Sequence, residues 1–65
     1  MERSKDEILE VLDQYIHKRS DWMVMAVYLT DRPGSFEQIA EECGVSVSTV
    51  KRTINRCSFI HKYLT

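Results

Sequence analysis

At 65 residues the chain can form one domain with a small core. Apolar residues make up 43% and charged residues 29%, with two Gly and one Pro, which marks a folded chain rather than a disordered one. The formal charge of −1 conceals a division, because residues 1–42 carry five Lys/Arg against ten Asp/Glu, whereas residues 43–65 carry Lys51, Arg52, Arg56 and Lys62 and no acid. No apolar run approaches the roughly 18–20 residues of a membrane span, so no membrane partner is expected. The charged start, Met1 to Glu7, leads into an amphipathic pattern and not into the apolar stretch of a signal peptide. Two cysteines are too few for a disulfide framework, and a reducing cytoplasm is the expected compartment. So small a core leaves little room for a buried catalytic pocket, so an enzyme is not expected. A binding module or an assembly subunit remains.

In chain order, Ser4 is placed to cap a first helix, with Glu7 three residues on able to reach back. Ile8, Leu9, Val11, Leu12, Tyr15 and Ile16 then draw one apolar stripe, with Asp6, Glu10, Asp13, Gln14 and Lys18 opposite, which predicts a helix from about Lys5 to Lys18. Ser20-Asp21 offers a second start, the carboxylate well placed against the helix dipole. The run Trp22 to Leu29 is apolar all round and reads as a helix buried on every face, since a lone strand would lack a partner. One small domain cannot easily surround such a run, which suggests a homodimer built through the first two helices. Asp31-Arg32-Pro33-Gly34 reads as a turn.

Ser35 opens a third helix, with Gln38 at the reach-back place of a capping box. Phe36, Ile39, Ala40 and Cys43 share one face, and Glu37, Glu41 and Glu42 the other. Gly44 ends this helix where a left-handed residue is needed, and Ser46 can cap a fourth. At about 100° per residue, Val50, Ile54 and Cys57 of that fourth helix point inward, while Ser48, Lys51, Arg52 and Asn55 point outward. The tail, 58–65, can extend the fourth helix, form a fifth, or lie as a strand.

Residues 36–55, Phe-Glu-Gln-Ile-Ala-Glu-Glu-Cys-Gly-Val-Ser-Val-Ser-Thr-Val-Lys-Arg-Thr-Ile-Asn, resemble the DNA-binding helix-turn-helix, and look like its versions in sigma-factor region 4 and Cro-type phage repressors. The resemblance spans residues 35–57; residues 1–34 would be two supporting helices. It implies a small residue where the helices cross, which is Ala40, and a residue of positive φ four positions on, which is Gly44. It also implies apolar contacts at Ile39, Cys43, Val45 and Val50. A fifth falls on Thr53, where the family prefers an aliphatic residue, and Ile54 beside it can substitute by a small rotation of the helix.

The outer face of the fourth helix has the chemistry for such a role. Arg and Lys bond guanine edges, Asn bonds adenine edges, and Ser bonds either base or phosphate. The resemblance makes Ser48, Lys51, Arg52 and Asn55 the base-contacting residues in the major groove. Ser35, Ser46, Thr49, Arg56 and Lys62 are the phosphate candidates. A plain solvated face has the same composition, so the face alone does not decide. Cys43, Cys57, His17 and His61 lack the paired spacing of a zinc site, and both cysteines fall on apolar faces, so no metal and no cofactor are expected.

The expectation is an all-α, compact bundle of four helices forming a single domain over 1–65, its third and fourth helices making a helix-turn-helix. The expected function is sequence-specific binding of double-stranded DNA in transcription control. Such a regulator would be bacterial or phage, cytoplasmic and nucleoid-associated, and would act as a repressor or through RNA polymerase. The alternatives are a protein-binding adaptor or anti-regulator using the acidic half, and a phage DNA-packaging component.

Overall fold

Three serines begin three of the helices for one local reason: each offers a side-chain oxygen to an N–H that the helix leaves unpaired. Ser4 Oγ accepts from the Glu7 N–H at 3.3 Å, Ser35 Oγ from the Gln38 N–H at 3.3 Å, and Ser46 Oγ from the Thr49 N–H at 3.2 Å. The computed structural model describes residues 4–64, and over these the protein is all-helical, as the apolar periodicities predict. Helix α1 spans Lys5–Tyr15, α2 Arg19–Ala26, α3 Phe36–Cys43 and α4 Val47–Arg56, and a 3-10 helix follows over Ser58–Tyr63. Of the three routes open to the tail, the chain takes the short fifth helix. No helix among the described residues is long and apolar enough to cross a membrane.

Several boundaries differ from those expected. Helix α1 stops at Tyr15, three residues early, because Ile16 turns extended (φ −119°, ψ 114°) and lets α2 fold back while its own side chain stays in the core. Helix α2 starts at Arg19 behind Lys18, with no side-chain cap, so Asp21 sits within its first turn instead of leading it. After Ala26 the helix continues as a π-turn over Val27–Asp31. There the Thr30 hydroxyl donates to the Ala26 carbonyl at 2.6 Å and competes with the backbone N–H for that acceptor. Arg32, at φ 47°, is the left-handed residue that ends this stretch, and Pro33 follows it.

The core has two parts joined through α2. On one side Ile8, Leu12, Ile16, Met25, Ala26, Cys57 and Ile60 pack together, and on the other Val24 packs with Ile39, Ala40 and Val50. Tyr28 and Ile54 touch both. The apolar run from Trp22 is thus enclosed by the same chain: Val24, Met25 and Ala26 are buried, and Met23 alone of the run is exposed. This corrects the premise that one chain cannot surround it. With α1 and the 3-10 helix on one flank and α3 and α4 on the other, a single copy suffices.

Candidate nucleic-acid interface

Helix α3 closes onto α4 through backbone chemistry that only the right residues permit. Gly44 adopts φ 68°, and the N–H groups of Gly44 and Val45 both turn back to the Ala40 carbonyl, the Val45 bond at 3.0 Å. The glycine faces open space, since a Cβ built there meets no atom within 4 Å, so its backbone conformation and not crowding requires it. Gln38 Oε1 accepts from the Gly34 N–H at 2.8 Å, so the reach-back lands one residue ahead of the Ser35 cap. Ile39, Ala40 and Val50 are buried, and Cys43 and Val45 are half-buried against them.

Helix α4 then divides into two faces. Val50, Thr53 and Cys57 are buried, and Ile54 is half-buried. Ile54 does turn inward, packed against both parts of the core, but it does not replace Thr53: Thr53, 3% exposed, occupies the fifth apolar place itself.

On the opposite face Ser48, Lys51, Arg52 and Asn55 are all exposed, and α4 contains no acid. Lys51 and Arg52 form no ion pair with any described residue. The four residues expected to meet bases therefore lie together, open to solvent and without competing charge on their own helix.

The phosphate candidates are less uniform. Ser46 Oγ is occupied by its capping bond and lies 2.9 Å from Thr49 Oγ1, which ties the two hydroxyls to each other. Ser35 also caps its helix, and Glu37 in the same first turn opposes an anion there. Lys62 is exposed, its Nζ 5.3 Å from the Tyr63 ring centre, and that ring stacks on Tyr15 at 4.0 Å. Arg56 differs most from expectation. Its Nη2 donates to Asp21 Oδ1 at 2.5 Å, joining the end of α4 to the first turn of α2. Sequence reasoning placed Asp21 only at the start of the second helix, against its dipole; the two residues are 35 positions apart, and no local pattern relates them.

Burial pushes the thiols of both Cys43 and Cys57 up, with Glu42 adding to the effect at Cys43 and Asp21 at Cys57, where Arg56 pulls the other way. Both are free, and no group of three or more His, Cys, Asp or Glu among the described residues is arranged to hold a metal ion. The donor missed by sequence reasoning is the Trp22 indole Nε1, which is buried and has no hydrogen-bond partner among the described residues.

No protein-family model matches the chain, and no curated protein and no solved structure matches it either.

Proposed function

We propose that the protein binds double-stranded DNA, with α4 laid in the major groove and Ser48, Lys51, Arg52 and Asn55 toward the base edges. The observation that carries this reading is the exposure of all four on a helix face free of acid, opposite a buried face of Val50, Thr53 and Cys57. A helix in the groove must offer donors and acceptors outward while its other side holds it to the domain. The short turn from Gly44 to Ser46 and the packing of Ala40 support the helix-turn-helix reading of α3 and α4. Regulation of transcription by site occupancy, as a repressor acts, or by contact with RNA polymerase in a bacterial or phage cytoplasm, follows from the same reading.

Size bears on how the site would be read. The longest extent of the chain is 29 Å, shorter than the roughly 34–36 Å between successive half-sites on one side of a duplex. One copy therefore reads one half-site, and a homodimer is proposed on that ground. Met25 cannot be in its interface, being fully buried in the chain's own core. The exposed apolar residues of the first two helices are Tyr15 and Met23.

A protein-binding adaptor is the second reading, favoured by the exposure of Glu37, Gln38, Glu41 and Glu42 along one side of α3. Binding to a random-sequence duplex over a salt series separates the two. Affinity that falls steeply with salt supports DNA binding, and absence of binding at low salt supports the adaptor.

A further inference from the structure

We infer that Asp21 limits the phosphate-contacting charge of α4 by holding Arg56, an inference that rests on the DNA-binding reading above. Four residues along a helix return to within about 40° of the same direction, so Arg56 stands beside Arg52 on the rim of the outward face. It is the one cation of α4 that a described acid engages. The two partners are unequal: the Asp21 side chain is 13% exposed and that of Arg56 is 52% exposed. Asp21 is thus the more enclosed of the two, and its carboxylate is the fixed partner against which the guanidinium rests. The positive end of the α2 dipole also holds Asp21 in place, because it lies in that helix's first turn.

A neutralised guanidinium displaces few counterions from DNA. With Arg56 held, α4 offers Lys51 and Arg52 to the duplex, and the third cation is kept in reserve at the rim. Asp21 is a positioning residue in this account: it touches no DNA, and its effect passes through Arg56. The arrangement keeps the sequence-independent part of the affinity low relative to the base-reading part, which favours discrimination between sites.

The test is binding of a fluorescein-labelled random 20-base-pair duplex, read by anisotropy from about 50 to 200 mM salt. It compares the full chain with Asp21→Asn, Arg56→Ala and the double variant, with helicity checked by circular dichroism. The expected result is tighter binding by Asp21→Asn and a log–log salt slope steeper by about 0.9, the value of one further phosphate contact. Adding Arg56→Ala removes that gain, and Arg56→Ala alone shifts the slope less than half as far as it does in the Asp21→Asn background. Should Asp21→Asn fail to fold, Asp21→Ser carries the same expectation. Weaker binding by the folded Asp21 variants, or four equal slopes, overturns the inference and leaves the DNA reading standing. No binding by the unaltered chain at the lowest salt removes the DNA reading, and this inference with it.

Discussion

Gly44 is the residue whose replacement has the simplest outcome. Its φ of 68° strains any side chain, yet there is room for one, so Gly44→Val is expected to cost at least about 1–2 kcal/mol through backbone strain alone. For a domain this small each kcal/mol lowers Tm by roughly 4–8 °C, and Gly44→Asn should recover much of the loss. Fluorescence of the one tryptophan, Trp22, gives the melting curve. An unmoved Tm would contradict the left-handed turn. Cys57 offers a second test. Its thiol is raised in the folded chain, chiefly by burial, so the folded state holds this proton more tightly than the unfolded state does. That contribution to stability is complete below the ordinary thiol range of about 8.5 and is lost as pH rises above it. Cys57→Ser should therefore lose less stability than the unaltered chain between about pH 8 and 10, measured by thermal melts. Equal losses would contradict a buried, protonated thiol.

At the scale of the element, what could be read from the sequence is what is settled within a few residues. Ser4, Ser35, Ser46 and Gly44 act on the turn next to them, and the helices they bound fall where the sequence places them to within a few residues. The four exposed residues of α4 follow from its period in the same way. What could not be read depends on a competition or on a distant neighbour. At the π-turn the Thr30 hydroxyl shares the Ala26 carbonyl with the helix backbone, a competition that no apolar periodicity announces. That Thr53 is buried more deeply than Ile54 depends on what the other helices present to α4, and Arg56 meets an acid from another helix. Helix α4 also carries the clearest functional prediction. On a selected binding site Arg52→Ala should cost roughly 1–3 kcal/mol and relax preference at one base position. Competition binding against single-base variants of the site measures both. If Arg52→Ala weakens all sequences equally, Arg52 contacts phosphate and not a base. Ala40→Leu should loosen α4 on α3, because Ala40 is buried beside Val24, Ile39 and Val50.

For the whole molecule, the division of charge and the central place of α2 have separate consequences. Because Met25 is fully buried between α1 and the 3-10 helix, Met25→Glu should unfold the chain instead of splitting a dimer. Sedimentation with circular dichroism tells these apart, since a folded 7.7 kDa species from this variant would place Met25 at an interface. Residues 43–65 carry four of the nine Lys/Arg and no acid, and the acids of α1 and α3 stand exposed on other helices. The outward face of α4 is thereby suited to a polyanion, while the small net charge limits attraction from elsewhere. The central claim is that the outward face of α4 meets duplex DNA, and the salt dependence of binding with and without its cations tests it most directly. Measurable binding to a random duplex is expected at about 50 mM salt, with a log–log slope that is less steep in the Lys51→Ala/Arg52→Ala double variant, because the face then brings two fewer positive charges to the polyanion. Binding that is absent at low salt, or present with a slope indifferent to both replacements in a folded chain, would contradict the claim.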